Sequence, residues 1–204
     1  MTVTPKPVIG LIGGIGAGKS TVAAALVRFG GKLLSGDPLG HEALKQPDIL
    51  AKVAEIWGAR GVLDEQGQVD RKKLGSIVFP SPVERTRLEH LVHPYIEKRL
   101  RQEIECAQQD PTAKFIILDA AVMLEAGWND VCDKLVFVDV SREVRLSRVQ
   151  AQRGWNDTEL ANREAVQMPT DRKKSLSDAI IDNNESPART QAQIEDLVQH
   201  WKLG

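Results

Sequence analysis

Apolar residues in this chain follow two patterns. Short unbroken runs occupy residues 8–12 (VIGLI), 32–35 (KLLS), 114–119 (KFIILD), 134–140 (KLVFVDV) and 179–182 (AIID). Each has the length of one strand, and a run apolar on consecutive positions suits a strand covered on both faces. Between them apolar residues recur every three or four positions, the helical period. One such stretch spans 39–57, with Leu39, Ala43, Leu44, Ile49, Leu50, Val53, Ile56 and Trp57. A longer one spans 83–108, with Leu88, Leu91, Val92, Tyr95, Ile96, Leu100 and Ile104, and Pro94 predicts a bend in it. Helices are also expected from Ser20 to about Arg28, closed by Gly30-Gly31, over 142–153, and as a polar segment over 157–175. Asp70 is placed to cap a short basic helix, RKKLGSIVF. Ser186 with Pro187 opens a last helix buried through Ile194, Leu197, Val198 and Trp201.

Strands alternating with helices, without hairpin signals, predict an α/β fold: a five-stranded parallel sheet between two helical layers. Residues 58–70, GARGVLDEQGQVD, read as a loop. About seventy residues separate the second and third strands, far more than one crossover needs. The excess, about 60–110, is expected to be a helical substrate-binding insertion into a single domain whose core is about 1–58 and 112–204.

Between the first strand and first helix lies G-x-x-x-x-G-K-S, formed by Gly13, Gly18, Lys19 and Ser20. Glycines at these positions let the backbone turn with positive φ and bring successive N–H groups around a phosphate. The helix N-terminus adds unpaired N–H groups and the positive end of its dipole. Lys19 can reach the β- and γ-phosphates, and the Ser20 hydroxyl can ligate Mg²⁺. The chain is therefore expected to bind a nucleoside triphosphate, though the motif does not specify a reaction.

Composition narrows the class. The 204 residues are 42% apolar and 27% charged with a net charge of −1, so no overall basic field draws the chain to nucleic acid or an anionic membrane. Cys106 and Cys132 match no metal spacing and read as reduced thiols. The first residues, MTVTPKPV, lack the apolar core of a signal peptide, and no run approaches membrane-spanning length, so the expected compartment is the cytoplasm. A monomer is expected.

Ligands of parallel sheets collect beyond the carboxyl ends of the strands, where Asp37, Asp119 and Asp139 fall. Asp37 suits a proton acceptor for a hydroxyl attacking the γ-phosphate, and Asp-Pro equally suits a helix cap. Asp119 fits a carboxylate near Mg²⁺. Of Arg142, Arg145, Arg148 and Arg153, the first two read as a solvated basic face, and Arg148 and Arg153 as cations for the transferring phosphoryl group. Arg71, Lys72 and Lys73 could meet substrate phosphates or be plain surface. Guanine-reading motifs are absent, as is any DNA-binding module, which argues against a switch GTPase, a helicase or a recombinase. A small-molecule kinase remains.

At this point the chain resembles the dephospho-CoA kinase family, over nearly its full length. GLIGGIGAGKSTVA is similar to the family's phosphate loop, which implies that Gly14, Ile15, Gly16, Ala17, Gly18, Lys19, Ser20 and Thr21 wrap the phosphates of ATP. The family's aspartate-alanine-aspartate is Ser35-Gly36-Asp37 here, keeping the residue that the resemblance implies as catalytic base. The arginine usual four residues later is His41. VDRKKLGSIVF and LVHPYI resemble the coenzyme-binding segment, implying substrate roles for Arg71 and His93. LDAAVMLEAG retains Glu125, a further implied substrate contact, with Ala121 in place of proline. Gln167, Lys173, Asp178 and Ile181-Asp182-Asn183 keep the family's spacing. The lid match is offset, Gln152-Arg153-Gly154 sitting one residue late relative to Arg148, with a lid expected at about 153–170. The resemblance implies transfer of a phosphoryl group from ATP, with Mg²⁺, to the ribose 3′-hydroxyl of dephospho-coenzyme A. Another P-loop nucleoside or nucleotide kinase, or a non-catalytic nucleotide-binding regulator, would share the motif.

Overall fold

The five apolar runs form one parallel sheet in the computed structural model, which describes residues 5–203. The strands are β1 (Val8–Gly13), β2 (Gly31–Ser35), β3 (Phe115–Asp119), β4 (Lys134–Asp139) and β5 (Ala179–Asp182). Their order is β2-β3-β1-β4-β5, so β1 is central and the segment after it emerges between the ends of β3 and β4. Register pairs Leu11 with Asp119 and Gly13 with Val138.

Alternation along the strands divides the sheet's side chains between two faces. Ile9, Leu11, Phe115, Ile117, Val136 and Val138 share one buried cluster with Val22 and Leu26 of α1 (Lys19–Val27) and with Ile194 and Val198 of α9 (Pro187–His200). Ser186 caps α9 by accepting from the Arg189 N–H, and Pro187 follows at the first helical position. The first compact unit consists of this sheet and its helices, from residues up to 35 together with those from 103 onward.

The second unit spans residues 36–102, beginning earlier than the expected insertion at 60. Two elements account for the difference: α2 (Gly36–Ala43) and α3 (Pro47–Trp57) both belong to it. They replace the single helix expected over 39–57, because the residue before Pro47 is pushed out of helical backbone and Gln46 is extended at φ −67°, ψ 134°. Asp70 caps α4 (Arg71–Val78) as its position predicts, accepting from the Lys72 and Lys73 N–H groups. In the stretch read as loop, Leu63 and Val69 form an antiparallel bridge, and Gly58–Arg60 make a 3-10 turn. Within this unit Trp57 donates to Glu84 at 2.8 Å, and Glu42 accepts from both Tyr95 and Arg99. Helix α5 (Pro82–Gln109) runs through Pro94.

The polar segment over 157–175 is also two helices, α7 (Asp157–Glu164) and α8 (Thr170–Ser175), parted before Pro169. They follow α6 (Arg142–Arg153). Among the described residues no helix is long and apolar enough to cross a membrane. Cys106 and Cys132 are free thiols.

Candidate active site

The turn after β1 is shaped for an anion. Gly16 has φ 78° and Gly18 φ 86°, left-handed values that cost a side-chain-bearing residue about 1 kcal/mol or more, and Gly18 is the N-cap of α1. The Ala17 N–H closes the turn onto the Gly14 carbonyl at 3.1 Å. The N–H groups of Gly16, Gly18, Lys19 and Ser20 donate to no acceptor among the described residues. Free donors at a helix N-terminus, in a turn that leads into Lys19, fit the phosphates of a nucleotide.

The loop is braced from behind by two arginines of α6. Arg148 donates to the Ala17 carbonyl at 3.3 Å and to the Asn183 carbonyl at 2.8 Å. Arg145 is only 5% exposed; it donates to the carbonyls of Val140 and Ile15, each at 3.2 Å, and pairs with Glu164 of α7. A Cβ on Gly14 would lie 2.9 Å from its guanidinium, so a side chain there would displace the arginine. The solvated basic face expected for both holds for Arg142, which is exposed, and is corrected for Arg145. Arg142 is tied to Asp157 at 2.6 Å and Glu164 at 3.4 Å, and Arg145 is buried charge. Position 145 lies one helical turn before buried Val149, and that spacing is the signal in the sequence for an inward-facing arginine.

Arg153 ends α6, with Gly154 at φ 68° as its C-cap. Its guanidinium lies 4.8 Å from the centre of the Trp155 ring, and that of Arg163 lies 4.1 Å from the same ring. One indole thus gathers two cations over its face, and Arg163, a contact that sequence reading passed over, is also paired with Glu159 at 3.1 Å. Behind these helices, Glu125 accepts from the Met168 N–H at 2.8 Å and pairs at 3.0 Å with Lys173, which is 3% exposed and also reaches Gln167 at 3.3 Å. Glu125, Lys173 and Lys19 line one small recess beside the loop, with Gly13 and Ala120. Asp139 is committed to Lys174 at 2.5 Å, which raises the lysine's pKa.

Asp119 ends β3, the strand beside β1. Among the described residues no cluster of three or more His, Cys, Asp or Glu could hold a metal ion by itself. Mg²⁺ takes one or two protein ligands and completes its shell with phosphate oxygens and water. The exposed Ser20 hydroxyl and Asp119 are the residues of this chain that fit that role.

In the second unit, Asp37 is exposed in the first turn of α2. The helix begins at Gly36, so Asp37 lies inside its first turn and not at the cap position ahead of it. His41, one turn on, has its pKa lowered by desolvation and by the charges of Arg71 and Lys45, with Asp37 opposing. These charges bring Arg71 and Asp37 into one electrostatic neighbourhood around His41. His93 of α5 is half-buried, and burial lowers its pKa, with Glu89 opposing.

A parallel five-stranded sheet, a phosphate-binding loop on its central strand and arginine-bearing helices after β4 together define a P-loop kinase. The comparisons narrow this further. The family model of dephospho-CoA kinase matches residues 7–188. A dephospho-CoA kinase from Bacillus licheniformis is 38% identical over 95% of this chain and 96% of its own. A solved Thermus thermophilus structure superposes with TM-score 0.80 at 27% identity, over 97% of this chain and 98% of that one. A Campylobacter jejuni dephospho-CoA kinase, 20% identical, shares the fold at TM-score 0.62, covering 96% and 97%. The chain belongs to the dephospho-CoA kinase family.

Proposed function

We propose that this chain transfers the γ-phosphoryl group of ATP to the ribose 3′-hydroxyl of dephospho-coenzyme A, giving coenzyme A and ADP. Membership of the family along residues 7–188 supports the reaction, and the observation that carries it is the set of unpaired N–H groups at Gly16, Gly18, Lys19 and Ser20. These donors with Gly14, Ile15, Ala17 and Thr21 hold the triphosphate, and Lys19 neutralises charge between its β- and γ-phosphates.

A secondary alcohol is a poor nucleophile, so positioning and charge carry most of the catalysis. The 3′-oxygen bonds to the γ-phosphorus as the bond to the β–γ bridging oxygen breaks, and Asp37 takes the hydroxyl proton. Its exposed carboxylate, two residues beyond the end of β2, suits that role. Mg²⁺, held by Ser20 and Asp119, would supply charge neutralisation along the phosphates. Arg153 stabilises the transferring group, with 153–170 as the lid, while Arg148, expected to share that role, supports the phosphate loop through the Ala17 and Asn183 carbonyls. Arg71 and His93 in the 36–102 unit bind the acceptor. Glu125 orders the lid's base through Met168 and Lys173.

ADP release measured across dephospho-coenzyme A, nucleosides and nucleoside monophosphates tests the reading. Turnover is expected with dephospho-coenzyme A and should be lost in Lys19→Ala. Preference for a nucleoside monophosphate would assign another kinase, and no turnover with any acceptor would leave a nucleotide-binding regulator.

A further inference from the structure

The Ala17 carbonyl is held from outside the loop by a buried side-chain relay. Asn183, 7% exposed just past β5, donates from Nδ2 to that oxygen at 2.8 Å. Its other end, Oδ1, accepts from the Thr190 hydroxyl of α9 at 3.0 Å. A backbone carbonyl only accepts, so the Ala17 oxygen decides which way round the Asn183 amide sits, and the Thr190 hydroxyl, donating to Oδ1, holds the amide in that sense. Turned over, the amide would set its oxygen against the Ala17 carbonyl, acceptor facing acceptor.

The consequence passes through one peptide plane. In a trans peptide the C=O and the following N–H point in opposite directions. Holding the Ala17 carbonyl toward Asn183 therefore turns the Gly18 N–H to the other side, where it donates to no acceptor among the described residues. Contact also keeps position 18 bare, since a Cβ there would lie 2.6 Å from Asn183 Nδ2. We propose that Thr190 and Asn183 are positioning residues for ATP binding: they fix the Ala17–Gly18 peptide so that the Gly18 N–H faces the phosphates before nucleotide arrives. Neither touches substrate in this account. The inference rests on the phosphate-loop reading above and goes beyond it, because it makes α9, outside the nucleotide-binding motif, a determinant of nucleotide affinity.

Thr190→Val keeps the shape and removes the donor, and Thr190→Ser keeps the donor. The test measures the Kd for Mg-ATP by calorimetry and the amide resonance of Gly18 in ¹⁵N-labelled protein, with steady-state constants for both substrates. Losing a buried donor is expected to weaken ATP binding roughly tenfold in Thr190→Val. The Gly18 resonance should shift, and the KM for dephospho-coenzyme A should stay within about twofold. Thr190→Ser should restore affinity and resonance. Asn183→Asp, which sets a carboxylate oxygen against the Ala17 carbonyl, should weaken ATP binding by at least as much. An unchanged Kd in Thr190→Val, with only its melting temperature lowered, would overturn the inference, as would equal losses for both substrates. ATP affinity is read without an acceptor, so failure of wild-type turnover would count against the proposed reaction alone.

Discussion

Arg145 offers a test with a magnitude set by its surroundings. Its side chain is 6% exposed and its partner Glu164 24% exposed, and it also donates to the carbonyls of Val140 and Ile15. Arg145→Met keeps much of the volume but removes three hydrogen bonds. Two go to neutral carbonyls, each contributing about 1 kcal/mol, and one is charge-assisted, contributing about 1.5–3 kcal/mol when dry. Glu164 retains Arg142 at 3.4 Å and some water, which discounts that last contribution. The expected loss is about 3 kcal/mol, or a fall of about 6–12 °C in Tm for a chain of this size. Glu164→Gln should cost about 2 kcal/mol, because it strands a buried cation whose remaining partners are carbonyls. Calorimetric unfolding of both variants and the double variant, without nucleotide, gives the coupling, expected at about 1–2 kcal/mol. Single losses that add to within about 0.3 kcal/mol, or a loss below about 1 kcal/mol for Arg145→Met, would refute the buried strut.

Four further outcomes follow from the structure. Asp37→Asn should lower kcat about 10²-fold or more, the scale of a positioned general base, with the Kd for ATP and the Tm nearly unchanged; a fall in Tm with kcat intact would make Asp37 structural instead. Arg153→Ala should lower kcat by roughly 10³-fold with little change in ATP binding, and Arg153→Lys should recover little of it. Arg148→Ala should chiefly weaken ATP binding, since that side chain holds the Ala17 and Asn183 carbonyls; single-turnover rates with a large loss at Arg148 and almost none at Arg153 would reverse these roles. Burial holds the His93 pKa below the usual value of 6.5, so the unfolded chain takes up a proton first as pH falls. His93 therefore contributes its full stability above about pH 6.5 and loses it on acidification. His93→Gln should flatten that part of the Tm–pH profile, and an unchanged profile would remove His93 as the cause.

The sheet was legible because each strand is a continuous apolar run, and the phosphate loop because its glycines and Lys-Ser sit between a strand and a helix. The break at Pro47 was missed because that proline lies inside an otherwise helical pattern, and apolar periodicity outweighed the restriction on the residue before it; the other break begins where α7 ends at Glu164, ahead of Pro169 at the start of α8. Arg145 was misjudged because a charged residue in an arginine-studded helix defaults to solvent. Its buried partners, Glu164 and the Ile15 and Val140 carbonyls, meet it only in three dimensions. The Lys173–Glu125 pair joins residues 48 apart in sequence, and no local pattern marks it. Position 37 shows the reverse case. Asp-Pro fits both a cap and a base by sequence, and α2 begins at Gly36, so Asp37 lies inside its first turn and not at the cap position before it.

The central claim is that the phosphoryl group reaches one particular oxygen. The direct measurement is ³¹P NMR and mass analysis of the product formed from dephospho-coenzyme A and Mg-ATP by the purified chain. The account predicts one new phosphomonoester on the ribose 3′-oxygen, formed one-for-one with ADP and absent with Asp37→Asn over the same time. ADP formed without a phosphorylated coenzyme product, or a phosphate on any other oxygen, would contradict it.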